Sequence, residues 1–298
     1  MPIITTANVA EAIVKLVASD ALPALVGNLV MGNLVNRSYE PTLASSGDTV
    51  NVPIPPVMQA NNLAMGGSVQ TQNPSLGNAQ VVLNTHAEST FQIPDIVKVL
   101  AFPELLAQYL RPAMIAIAER IETDLMKLYV NLTANTAVGT GAQTITESVI
   151  DLAETSLFNA KVPEAEPKIL VTSGQTYSDL RQIPRFTEER TVGTGFAIIN
   201  GTVGQLKNFN IFRSQFVQLV STTTYNLAFA KDAFALVMRR LPQPLPGTGA
   251  VAEYAEMGNF GMRIVMSYSP NVLAQQFTVD VLYGVAVLRN VFGVQVLS

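Results

Sequence analysis

Between Asp48 and Glu88 the chain carries no formally charged residue, counting His86 as neutral, and a period-two hydrophobic pattern stands at each end of the run. Residues 49–55 put Val50, Val52 and Ile54 on one face, which predicts a strand. Pro53, Pro55 and Pro56 lack amide protons, so that strand belongs at a sheet edge. On the far side, residues 79–93 place Val81, Leu83, Thr85, Ala87, Phe91 and Ile93 on one face, and Asn84, His86, Glu88 and Gln92 on the other. That alternation predicts a single long strand. The two strands enclose an aperiodic loop at 57–78, rich in Gln, Asn, Gly, Ser and Met. Loops of this length inside a compact domain are uncommon and usually functional. A floppy, solvated loop would normally carry Lys, Glu or Asp. A charge-free loop between well-formed strands fits contact with a neighbouring subunit, where an unpaired charge would be costly. Its apolar side chains, Met58, Leu63, Met65, Val69 and Leu76, are the candidate subunit interface.

The whole composition points the same way. Hydrophobic residues make up 48% and charged residues 13% of the 298, against roughly 25% charged in an ordinary soluble domain. With so little charge, much of the surface is expected to be covered by other chains. The apolar stretch 22–35 is shorter than the ~20 residues of a spanning helix and is broken by Pro23, Gly27, Asn28, Gly32 and Asn33. Glu11, Lys15 and Asp20 interrupt the segment before it, unlike a signal peptide. The expectation is a soluble protein with no membrane partner. No cysteine is present, which excludes disulfides, thiolate metal sites and cysteine nucleophiles. A formal charge of −4 offers no basic footprint for tight nucleic-acid binding.

Around the hairpin, the remaining elements predict an α+β chain. Val9, Ile13, Leu16 and Val17 form an amphipathic stretch in an N-terminal arm, 1–46, that packs on something else. From 102 to 132 apolar residues recur at helical steps, among them Leu110, Met114, Ile117, Ile121 and Leu125. Pro112 either follows a short helix ending near Tyr109 or opens a long one over about 110–132. Glu119, Arg120, Glu122, Thr123 and Lys127 form its expected exposed face. Thr144 and Glu147 predict a capping box for a helix reaching about Lys161. Strands are expected at 168–172, 209–213, 227–230, 235–239, 261–269, 276–288 and 293–297, with a helical turn at 175–182 and an exposed loop at 185–208. No clean linker separates two halves.

Chemistry finds little purchase. His86 is the lone histidine, on the polar face of a strand two residues from Glu88, and no convergent acid cluster or further imidazole accompanies it. The pairs at Gly139/Gly141, Gly193/Gly195 and Gly247/Gly249 follow no strong strand and open no helix, so they read as turn glycines. No catalytic, cofactor-binding or metal residue is assigned, and no cofactor is expected. Lys98, Arg111, Arg120 and Lys127 offer at most a weak strip for non-specific nucleic acid.

The order of these parts resembles the major capsid proteins of tailed bacteriophages, with the fold named after phage Hong Kong 97. The resemblance rests on the Gly47-Asp48-Thr49-Val50-Asn51-Val52-Pro53 strand, the long loop, the returning strand and a spine helix around Tyr109-Leu110-Arg111-Pro112-Ala113. In the second half, Asn226-Leu227-Ala228-Phe229-Ala230-Lys231-Asp232-Ala233-Phe234 and Val281-Leu282-Tyr283-Gly284-Val285-Ala286-Val287-Leu288-Arg289 look like two further segments of the family. The branch most similar is the podovirus-type coat proteins that lack cleavage and cross-linking. The resemblance implies an N-terminal arm (1–46), a peripheral domain (47–135) with the extended loop (57–78) and spine helix, an axial domain (136–270), and closing strands (271–298) returning to the peripheral domain. It implies hexamers and pentamers of an icosahedral shell holding double-stranded DNA, in a virion assembled in the host cytoplasm. A separate scaffolding protein and a portal are implied partners, and a cement or decoration protein could add to them. The loop contains no lysine, so the isopeptide cross-link of one branch is excluded and the shell is expected to be held non-covalently. An encapsulin-like compartment shell is the alternative within the same fold. A secreted β-rich adhesin is a more distant one, predicting a signal peptide and repeats that the sequence does not display.

Overall fold

In the computed structural model, which describes residues 29–39, 49–56, 58–63, 65–183, 205–245, 248–257 and 260–298, the chain is α+β. The expected helical stretch at Val9 to Val17, the strand opening at Gly47-Asp48 and most of the 185–208 loop lie outside the described residues. A one-turn helix α1 (Met31–Leu34) comes first, then β1 (Thr49–Ile54), β2 (Gly77–Val82), β3 (Thr85–Pro94) and the spine helix α2 (Asp95–Lys127). Next are β4 (Val138–Gly139), α3 (Glu147–Asn159), β5 (Lys168–Thr172), α4 (Gly174–Gln182), β6 (Gln205–Leu206), β7 (Phe209–Arg213), β8 (Gln218–Val220) and β9 (Thr223–Ala230). The chain ends with β10 (Phe234–Arg239), β11 (Ala250–Met257), β12 (Phe260–Ser269), β13 (Ala274–Val287) and β14 (Gly293–Leu297).

Pairing sorts the described strands into two large sheets and a two-stranded ribbon. The first sheet is built on β13, a 14-residue strand, which pairs with β12, β10 and β3. β11 continues it beyond β12. The second runs β4-β14-β9-β5-β7-β6, with β8 on β9. β1 and β2 form the ribbon. Two short crossings, β9 to β10 and β13 to β14, and the longer path from β3 through α2 to β4 tie the large sheets together. The Ala233 carbonyl staples them, accepting from the Leu288 N–H at 2.8 Å. Phe229 and Phe234 meet edge to face across the first crossing, with centroids 5.1 Å apart. The halves are therefore joined by strands rather than by a linker.

The main core is continuous through both halves, from Leu157, Leu170, Phe209 and Val294 around the second sheet to the space between the first sheet and the inner face of α2. Leu110, Met114, Ile117, Ala118, Ile121 and Leu125 recur at three- and four-residue steps and are buried with Val279, Val281 and Tyr283. At 33 residues α2 spans about 50 Å.

Local expectation and structure part at several points. The spine helix begins at Asp95 and passes unbroken through Pro112, where a helix boundary was expected. Proline removes one backbone bond and crowds a turn, but Pro112 is exposed while its neighbours Ala113 and Met114 are buried. Packing on both sides of the lesion holds the helix together. The strand expected at 79–93 breaks at Leu83 and Asn84: its first part pairs with β1 and its second with β13. Gly284 lies against the Val82 carbonyl so closely that a Cβ there would overlap the oxygen. The break is thus wedged into β13. Helix α3 starts after Thr146, whose side chain makes no cap bond to the backbone and pairs instead with the Ser148 hydroxyl at 2.9 Å, so the expected Thr144–Glu147 box does not form. β11 was not anticipated, because its short Ala-Glu-Tyr pattern carries little hydrophobic alternation. Finally, the spans 136–270 and 271–298 do not follow the sheets. β10, β11 and β12 pair within the sheet of β3, whereas β14 joins the other sheet.

Candidate assembly surface

The ribbon that carries the extended loop is anchored at its root. Val50 and Val52 of β1 and Val81 of β2 are buried with Leu83, Ala235, Val237 and Leu288 in a second, smaller core on the outer side of β10 and β13. Asn51 bridges the strands by accepting from Asn78 and Gln80 at 3.0 and 3.1 Å. Pro53 stands opposite Asn78 in a ribbon whose strands are both edges, where its missing N–H costs no ladder bond.

Beyond this root the described loop residues form no strand or helix, and Met65-Gly66 make a turn with Gly66 at φ +81°. One pinch is visible: the Gln59 N–H donates to the Gln72 side-chain oxygen at 3.0 Å, and the Gln72 amide returns a bond to the Gln59 carbonyl. Met58, Leu63, Met65, Val69 and Leu76 all point away from the chain's own core, with exposures from 58% at Met58 to 106% at Met65. An isolated subunit leaves this apolar area in water at roughly 25 cal/mol per Å².

Charged groups cluster elsewhere and are internally paired. Asp280 of β13, nearly fully buried, takes a bidentate contact from Arg263 of β12, its Nε at 3.0 Å and its NH2 group on the second oxygen. His86 Nε2 lies 3.0 Å from the same carboxylate, with half of the imidazole exposed. The Asp280 hydrogen bonds hold Arg263 more firmly protonated than usual. The cluster locks adjacent strands together and presents no nucleophile. Among the described residues no group of three or more His, Cys, Asp or Glu side chains could hold a metal ion. No described helix is long and apolar enough to cross a membrane.

Glu122, placed on the exposed face of the spine helix by its charge, is instead fully buried. Its carboxylate oxygens accept the backbone N–H groups of Met31 and Gly32 at 3.0 and 2.9 Å. Burial pushes the carboxyl above the usual range, and the N–H bonds pull it partly back. Around it Leu29, Met31 and Val35 enter the main core. Asn36 then pairs with β10, its N–H donating to the Phe234 carbonyl at 3.0 Å, while its side chain reaches Asp232 at 2.6 Å. The arm's end is therefore clamped onto the chain's own spine. The signal was present in the sequence: position 122 falls in the same helical row as Ala118 and Leu125, so periodicity places it inward where residue type places it outward.

Compared with known proteins, residues 95–296 match the family model described as phage capsid protein. No curated protein matches the chain in sequence. Among solved structures it is similar to a chain of Mycobacterium phage Che8, at 21% identity and TM-score 0.69, over 90% of each chain. It is also similar to a capsid chain of cyanophage P-SCSP1u, at 14% identity and TM-score 0.62, over 90% of this chain and 87% of that one. An encapsulin complex from Synechococcus elongatus shares the architecture at 14% identity and TM-score 0.50, over 85% and 82%.

Proposed function

This chain belongs to the phage capsid protein family and is a shell-forming major capsid protein of the Hong Kong 97 type; from that premise we propose that its subunits lock together non-covalently, each extended loop lying over a neighbour, in hexamers and pentamers of an icosahedral shell around double-stranded DNA. The observation that carries this reading is the anchored, charge-free loop with Met58, Leu63, Met65, Val69 and Leu76 outward. The absence of lysine from the loop supports non-covalent closure. In this reading the first sheet, the ribbon and the spine helix form the peripheral domain, and the β14-centred sheet with α3 and α4 forms the axial domain. The role is structural and not catalytic. A scaffolding protein, a portal and a cement or decoration protein are the partners such a shell would take during assembly in the host cytoplasm.

Electron microscopy of the purified chain, produced alone and with its neighbouring reading frames, tests the proposal. Closed particles, tubes or capsomer-sized rings are expected, and a monodisperse monomer in both preparations would overturn it. Particles run on a denaturing gel without heat should give single chains; a covalent ladder would refute non-covalent closure. Protein cargo in place of DNA would reassign the particle as an encapsulin-like compartment.

A further inference from the structure

Methionine is distributed unevenly over this chain. Of the methionines whose side chains are described, Met31, Met114, Met126, Met238 and Met262 are buried in the core, and Met266 packs against it. The two that stand in solvent, Met58 at 58% and Met65 at 106% exposed, both lie in the extended loop. Met65 opens the turn that Gly66 completes at φ +81°, and Met58 directly precedes the Gln59–Gln72 pinch. The fold thus leaves both thioethers open to a dissolved oxidant.

The rest of the composition sharpens that exposure. The chain has no cysteine and no tryptophan. Thiolates, the usual first target of a peroxide, are therefore absent, and the exposed thioethers react before the core is reached. The five buried methionines are shielded by packing that the native state opens only rarely. Oxidation also changes what a loop methionine can do. A thioether is flexible and apolar, and it suits contact with an irregular surface. A sulfoxide is polar, and burying its oxygen without a donor is costly.

We propose that Met58 and Met65 are redox modification sites, whose conversion to sulfoxide by a peroxide in the free subunit switches off shell assembly and whose reduction restores it. The proposal rests on the capsid reading and adds a regulation of the same loop. A sulfur lone pair attacks one peroxide oxygen, the O–O bond breaks, and the second oxygen leaves as water after proton transfer. Sulfur loses two electrons and the peroxide gains them. Methionine sulfoxide reductases, one for each sulfoxide epimer, reverse the change. Their electrons come from a dithiol that becomes a disulfide, and the oxygen leaves as water. Every subunit of a closed shell presents the same pair of sulfurs, so a modest penalty at each contact multiplies around the particle.

The test uses the purified full chain and hydrogen peroxide, with the modified positions read by peptide mass spectrometry. Met58 and Met65 should oxidise before the five core methionines in free subunits, and at least about tenfold more slowly in particles. Subunits converted at both positions should need at least about tenfold higher concentration to form particles. Incubation with both reductases and dithiothreitol should restore the original threshold. Met58→Leu with Met65→Leu, close in volume and without sulfur, should assemble before and after the same exposure. Unchanged assembly of the doubly oxidised chain would overturn the proposal. So would loop sulfurs that react as fast in particles as in subunits, a loss that the reductases do not reverse, or an equal loss in the leucine variant after exposure. In each of these cases the particles formed before treatment leave the capsid reading intact. Untreated chains that never form particles would fail that reading and the proposal with it.

Discussion

Replacing Glu122 by alanine should release the arm from the spine helix without unfolding the subunit. The carboxylate accepts two buried N–H groups, those of Met31 and Gly32. Leaving each without a partner costs about 1–3 kcal/mol, so the gross loss is about 2–6 kcal/mol. Removing a carboxylate that burial disfavours returns part of this, since desolvation is the leading cause of its raised pKa. A net loss of about 2–4 kcal/mol follows, falling on a segment whose burial of Leu29, Met31 and Val35 is opposed by roughly 1–2 kcal/mol of ordering entropy per residue. Native-state hydrogen exchange of residues 29–36, corrected for intrinsic rates, should then accelerate roughly 30- to 1,000-fold, with peptides from β13 little changed. Glu122→Gln keeps one acceptor but turns an N–H donor toward the other amide, so it should fall between the two. The pH dependence has a definite sign. A carboxyl whose folded pKa is raised contributes stability that is fully present below the unfolded value and is lost as pH rises through the folded one. Protection of 29–36 should therefore weaken as pH climbs from the ordinary Glu range, and the glutamine variant should lack that slope. Exchange of 29–36 within threefold of the parent in Glu122→Ala would refute the clamp.

Other substitutions probe separate features. Leu63→Asp with Val69→Asp should block assembly while changing subunit stability by less than about 0.5 kcal/mol, read by sedimentation and urea unfolding; normal particles would count against the loop as interface. Gly284→Ala sets a Cβ against the Val82 carbonyl and should cost about 1–3 kcal/mol, with calorimetry of the unassembled subunit as the check and an unchanged melting temperature as the contrary result. Asp280→Ala strands Arg263 in a largely buried site and should cost about 3–5 kcal/mol; a loss below about 1 kcal/mol in urea would show that the pair contributes little.

Elements with strong local periodicity were legible from residues alone. β7 and β14 lie where alternation put them, and Val50, Val52 and Val81 are buried as the inward face of the hairpin. The charge-free run between Asp48 and Glu88 likewise set the loop apart, because the cost of stranding a charge depends on residue type and not on fold. Sequence by itself thus determined the α+β class, the hairpin with its uncharged loop, the absence of cysteine and the single histidine. Tertiary structure alone decided where partners lie. β10 finds β13 about fifty positions downstream, β14 crosses to the other sheet, and β3 leaves β2 for β13 at a break that Gly284 accommodates. Local hydropathy is blind to such pairings, since period-two alternation says which face is buried and nothing about which strand lies alongside. The same limit hid Glu122, where two N–H groups from about ninety residues away replace the water that a helix-surface carboxylate would otherwise require.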